Sequence, residues 1–104
     1  MTGSHNLIVG NANSYTSFGG IVAGQVNTIS APLASVSGGG NNTASGFLAS
    51  ISGGAINTAS GYVSSVSGGN DNTASGDYAS SVSGGNGVTQ TYQFGWSGGT
   101  YHSP

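Results

Sequence analysis

Apolar residues recur along this chain at a constant offset from glycine. With Gly10, Gly24, Gly39, Gly54, Gly69, Gly85 and Gly99 as anchors, the steps are 14, 15, 15, 15, 16 and 14 residues. Three residues before each anchor stands an apolar side chain: Leu7, Ile21, Val36, Ile51, Val66, Val82 and Trp96. Five residues after the first five anchors stand Tyr15, Ile29, Ala44, Ala59 and Ala74, and three after them Asn13, Asn27, Asn42, Asn57 and Asn72, a pattern that breaks at Val88 and His102. Self-similarity at this period is the mark of a repeat architecture.

Within each unit the period is two. In "ASISGG" Ile51 lies between Ser50 and Ser52, and in "NTASG" Ala59 lies between Thr58 and Ser60. Strict alternation over four to six residues, bounded by Gly and Asn, predicts short β-strands joined by tight turns. Helix is disfavoured, since a Gly pair in most units costs about 1 kcal/mol per Gly. Each unit is therefore read as one coil of an all-β solenoid with two short strands, some six to seven coils of 14–16 residues in all. A coil of 15 residues at about 3.3 Å each has a contour near 50 Å, so it is small and flat. The whole chain, residues 1–104, is read as one repeat domain. Its repeats run from about 7 to 99, with an aromatic cap from about 89 to 104.

Flat coils leave room inside for Val, Ile and Ala only. The seven apolar residues before the anchors and the Tyr, Ile and Ala column after them are expected to point inward. The Gly pair permits either positive φ or a close approach of backbone. Asn13, Asn27, Asn42, Asn57 and Asn72 are expected to form a ladder from coil to coil, with a ligand-binding row as the alternative. This interior is thin for 104 residues. Leu33, Leu48 and Val63 stand six residues before their anchors, and Phe47 and Tyr62 directly precede two of them. Alternation sends Phe47, Ala49 and Ile51 to one side and Leu48 to the other. Apolar groups on both sides predict that Leu33, Phe47, Leu48, Tyr62 and Val63 contact another copy of the chain in a homo-oligomer.

Composition changes this picture in one respect. More than half of the residues are Gly, Ser, Asn or Thr, yet there is no Lys or Arg and only two acidic residues, so the charge that accompanies disorder is missing. Without cations neither nucleic-acid phosphate nor an anionic membrane is an expected partner. No apolar run reaches the roughly 20 residues of a membrane span, so direct membrane insertion is not expected either. "MTGSHNLIVG" has no charged start of a signal peptide, and the chain is read as a fragment or processed form. With no Cys, disulfides and thiolate metal sites are excluded.

Candidate chemistry is sparse. His5 and His102 are about six coils apart and cannot share a metal within one chain. Asp71 and Asp77 in "GGNDNTASGD" supply few of the six to eight oxygens that calcium takes. No cofactor, metal or catalytic residue is assigned, and an enzyme is the least expected class. Thr28, Thr43, Thr58 and Thr73, each followed two residues later by Ser30, Ser45, Ser60 and Ser75, make a regular outward grid of hydroxyls. The grid resembles ice-binding surfaces, which favour Thr in both columns. Near the end, "TYQFGWSGGTYHSP" gathers Tyr92, Phe94, Trp96 and Tyr101, with Trp96 in the apolar column as a lid on the last coil. A sticky end that stacks molecules into a filament is the alternative.

From Ala44 to Thr58, "ASGFLASISGGAINT", the chain resembles the heads of trimeric autotransporter adhesins, the YadA-like heads of bacterial surface proteins. Ala44, Gly46, Ser50, Ile51, Ser52 and Gly54 carry the likeness, as do Ala59, Gly61, Ser65, Val66, Ser67 and Gly69. It covers about Leu7 to Gly99, with a unit of mostly 15 residues rather than about 14. The resemblance implies a left-handed parallel β-roll, three chains about a threefold axis, and a secreted or cell-surface structural and adhesion module that meets a host or surface ligand. A self-assembling extracellular fibre that stacks through solenoid ends, and an ice-binding protein, are the other expectations.

Overall fold

The computed structural model describes residues 6–16 and 18–99, and the backbone of 101–103. The first coil holds β1 (Leu7–Asn11) and β2 (Ser14–Tyr15), the second β3 (Ile21–Gln25) and β4 (Thr28–Ile29). β5 (Ser35–Val36) and β6 (Thr43–Ala44) form the third, β7 (Ser50–Ile51) and β8 (Thr58–Ala59) the fourth. β9 (Ser65–Val66) and β10 (Thr73–Ala74) follow, then β11 (Ser81–Gly84) and β12 (Thr89–Gln90). β13 (Trp96–Gly98) opens one more turn, which ends in β14 (Tyr101–Ser103). All strands up to β13 pair in parallel with the equivalent strand one coil away, odd with odd and even with even. The result is a parallel β-solenoid of about six turns, with no helix among the described residues.

Between the two sheets runs a narrow apolar seam. Val22, Val36, Ile51, Val66 and Val82 project into it from the odd sheet, and Ile29, Ala44, Ala59 and Ala74 face them from the even sheet. Ala34 and Ala49 complete the seam, and all of these are essentially without solvent contact. Burying a Val or Ile stabilises by about 1.5–3 kcal/mol, so each coil draws modestly on its core. The Cα envelope is 36 × 21 × 12 Å. Packed sheets lie about 10 Å apart, so a shortest dimension of 12 Å leaves little room for sheet twist along the stack.

The inward column departs from expectation at both ends. Leu7, Ile21 and Trp96 are 57%, 46% and 42% exposed, and the residues that face inward there are Ile8, Val22 and Ser97. Pairing runs Ile8, Val22, Val36, Ile51, Val66, Val82, Ser97 without interruption. From Val36 to Gly39 is three residues, but from Ile8 to Gly10, Val22 to Gly24 and Ser97 to Gly99 it is two. Counting back from the anchor crosses that deletion, and a slip of one residue moves a side chain to the opposite face. Trp96 is accordingly no lid: its indole Nε1–H donates to Ser83 Oγ on the outer face. The last coil is instead filled by Gln90, whose amide donates to Ser97 Oγ at 2.7 Å. The edge of β13 is covered by antiparallel β14.

The two bends of the coil are built differently. At the glycine bend, Gly39, Gly54 and Gly69 have φ of 85°, 89° and 95°. A Cβ on Gly54 would overlap the carbonyl oxygen of Gly69 in the next coil, whereas a Cβ on Gly53 would meet nothing within 4 Å. Only the second glycine of the pair is sterically required. At the other bend, Leu33, Leu48 and Val63 adopt left-handed backbone, with φ of 59°, 59° and 57°. That conformation interrupts the period of two. Ala49 and Ile51 are buried, but Phe47 lies outside at the bend beside Leu48 and not on the inner side with them.

Candidate functional surfaces

Four surfaces could carry function: the asparagine row, the outer faces of the two sheets, and the non-glycine bend. The asparagine row is internal. Asn27, Asn42, Asn57 and Asn72 are wholly buried and Asn13 nearly so. Each Oδ1 accepts the backbone N–H of the next asparagine at 2.9 Å, and Asn72 accepts that of Val88 at 2.8 Å. Each Nδ2 donates twice. That of Asn57 reaches Gly53 O in its own bend and Gly69 O in the next coil, both at 3.0 Å. With both amide atoms engaged in backbone contacts, the row is a staple between coils and offers no free group to a ligand.

The non-glycine bend carries a continuous apolar ridge. Rings of Phe47 and Tyr62 stack with centroids 5.2 Å apart, Tyr62 and Tyr78 follow at 5.0 Å, and Tyr78 and Phe94 at 5.5 Å. Leu33, Leu48 and Val63 run beside the rings, and all three are substantially exposed, as are Tyr62, Tyr78 and Phe94. The bend therefore unites the five residues expected to contact another copy and adds two more. Tyr78 continues the aromatic column sixteen residues after Tyr62, whereas Phe94 occupies the left-handed position of Leu48, Val63 and Ala79 and packs on the Tyr78 ring from there. The shortened final coil places Phe94 five residues before its anchor, where Leu48 and Val63 stand six before theirs, so anchor-based counting misses it.

Backbone strain runs along this ridge, as it does through Val26 and Ile56 at the glycine bend. Leu48 and Val63 hold positive φ although neither is Gly, Asn or Asp, and for β-branched Val63 such a conformation is a true outlier. Left-handed backbone costs an ordinary residue about 1–2 kcal/mol. The chain spends that energy on side chains that are then left largely in water.

The outer faces are made of hydroxyls. On the even sheet, Ser14, Thr28, Thr43, Thr58, Thr73 and Thr89 pair in register. Two residues on lie Thr16, Ser30, Ser45, Ser60, Ser75 and Thr91, nearly all exposed. On the odd sheet, Ser35, Ser50, Ser65 and Ser81 form one column. That column ends in Leu7 and Ile21 on one side and Trp96 on the other.

Titratable groups are scattered. Asp71 stands at the glycine bend and Asp77 before Tyr78 at the opposite bend, both exposed. Among the described residues no three His, Cys, Asp or Glu side chains gather to hold a metal. His5, and the side chain of His102, lie outside the described residues. Comparison with protein-family models, with curated proteins and with solved structures yields no match.

Proposed function

We propose that this chain is a non-enzymatic structural and adhesion module that associates side by side with copies of itself at an extracellular or bacterial surface. The observation that carries the reading is the apolar ridge from Leu33 to Phe94, stacked in its rings, exposed in its side chains and free of cations along its length. An exposed apolar strip of several hundred Å² marks an interaction surface on a soluble protein. A ridge that repeats with the coil matches itself in a second copy at every turn, so several weak contacts add. The resemblance to trimeric autotransporter heads makes a left-handed roll in a homotrimer the preferred assembly. Adhesion would then come from the repeated Ser and Thr faces by multivalent polar contact, a mechanism that needs no single strong site.

End-to-end stacking into a fibre is the second reading. It draws support from β1, whose outer side has no partner strand among the described residues. The antiparallel β14 across the opposite end of the odd sheet weighs against it.

Sedimentation of the purified chain over a wide concentration range tests both. A constant trimer mass supports the side-by-side module, and open-ended growth with concentration supports the fibre. Tyr62→Ser with Val63→Asn should convert the trimer to monomer while the far-ultraviolet spectrum stays the same. A wild-type chain that is monomeric at every concentration ends the assembly reading.

A further inference from the structure

We infer that the outer face of the even sheet is a recognition surface for ice. The case is geometric; it is independent of the assembly reading, which concerns the apolar bend, and gives the threonine face a more specific ligand than the polar adhesion proposed above. Five threonines, Thr28, Thr43, Thr58, Thr73 and Thr89, stand in one unbroken register. A second hydroxyl column, Ser30, Ser45, Ser60, Ser75 and Thr91, lies two residues further along the chain, directly after each strand. The hydroxyls therefore form a two-dimensional grid, repeating about 4.8 Å along the stack and about 6.7 Å along the strand. Rows of oxygen on the prism faces of hexagonal ice repeat on the same scale.

Three further features suit a crystalline surface better than a dissolved ligand. The face is flat, as the 12 Å thickness of the whole coil stack requires, and so provides no concavity to enclose a small molecule. The chain has no Lys or Arg, and both acidic residues lie at the bends, so no lysine, arginine or carboxylate interrupts the grid with a tightly held hydration shell. Threonine is stiff at χ1, so its hydroxyl and methyl are held in place before any contact. The half-buried state of Thr28, Thr43, Thr58 and Thr73 restricts them further. Each hydroxyl contributes little on its own, and the repetition supplies the rest.

The odd sheet provides the internal contrast. Its serine columns have the same spacing but freer rotors, and the column of Ser35, Ser50, Ser65 and Ser81 ends in Ile21 and Leu7 on one side and Trp96 on the other. The serine column of the even sheet is likewise its weaker half, which leads to a gain-of-function test.

The experiment measures thermal hysteresis and inhibition of ice recrystallisation by the purified full chain, with four proteins side by side. The wild type is expected to show both effects. Thr58→Tyr, at the centre of the face, should lose most of the hysteresis, and Ser52→Tyr on the odd sheet should keep it. The double variant Ser45→Thr/Ser60→Thr should gain hysteresis, a result that cannot arise from misfolding. The inference is overturned if the wild type shows neither effect, or if Ser52→Tyr loses as much as Thr58→Tyr. It is also overturned if Thr58→Tyr changes the sedimenting mass, which would place this face inside the assembly. A monomeric wild type that still shapes ice would end the assembly reading and leave this one standing.

Discussion

The two bends of the coil solve one problem in opposite ways. Each must reverse the chain within a few residues, and each uses a column of left-handed residues: Ala12, Val26, Asn41, Ile56 and Asp71 at the glycine bend, Leu33, Leu48, Val63, Ala79 and Phe94 at the other. At the glycine bend the neighbouring backbone is tied down by a buried amide and by a glycine that no other residue can replace. Its left-handed residue is then free to vary, and Asn and Asp, which tolerate this conformation, do occur there. At the opposite bend Gly46 and Gly61 allow close approach of the coils, since a Cβ on either would strike the carbonyl of the next coil. The residues after them are bulky and apolar. Backbone necessity explains the first bend. It does not explain why the second carries aromatic rings, and that surplus is what points to a partner.

Four measurements would break or sharpen this contrast. The largest effect is expected for Asn57→Asp, which replaces the donor to Gly53 O and Gly69 O by a buried charge facing two carbonyls. A loss of about 4 kcal/mol, enough to unfold a marginal domain, should appear in thermal denaturation. Asn57→Ala should cost less, about 3 kcal/mol, for the groups it leaves unpaired. If the aspartate variant is as stable as wild type, the staple is not what holds the coils together.

Next in size, Gly54→Ala should destabilise by at least about 2 kcal/mol, because positive φ and the Gly69 carbonyl both oppose a Cβ. Gly53→Ala should cost under about 1 kcal/mol, since its Cβ would meet open space. Equal losses would mean that the pair acts as a flexible unit. A smaller effect of opposite sign is expected at the left-handed positions. Ile56→Asn and Val63→Asn should each stabilise the isolated coil stack by about 0.5–1 kcal/mol through relief of backbone strain. Only Val63→Asn should also lower the sedimenting mass, and a drop in mass with Ile56→Asn would move the partner to the glycine bend. Smallest of all is Ser64→Ala. The Ser64 hydroxyl is buried without a hydrogen-bond partner, and the equivalent residue in the two preceding coils is Ala34 or Ala49. A gain of up to about 1 kcal/mol is expected, again by thermal denaturation.

Much of this architecture is legible in the one-dimensional pattern. A period near 15 residues with internal alternation already implies a stack of two-stranded coils, because no other arrangement keeps Val36, Ile51, Val66 and Val82 on one side of a strand at that interval. Asparagine three residues after the first five anchors is likewise a local device, since the bend it closes lies within its own coil. Spacing fails where coil length changes. Leu7, Ile21 and Trp96 keep their distance from the anchor glycine but not their distance from the strand pairing, and pairing decides which face a side chain takes. The same shortening hides Phe94 from the column of Leu48 and Val63.

The sequence by itself determined the repeat, the strand pairs, the thin interior and the lack of charge, because these follow from residue types at fixed intervals along a single coil. Only the tertiary structure decided which residues share a surface. Phe47, Tyr62, Tyr78 and Phe94 are far apart in the chain and become a stack only when coils are superposed in register. Left-handed backbone at Leu48 and Val63 was equally invisible, since nothing in their side chains favours it. The same turn forms at Leu33 and Phe94 with no glycine before it, so its cause is the bend itself, closed by a backbone hydrogen bond such as that from Ala49 N–H to Gly46 O.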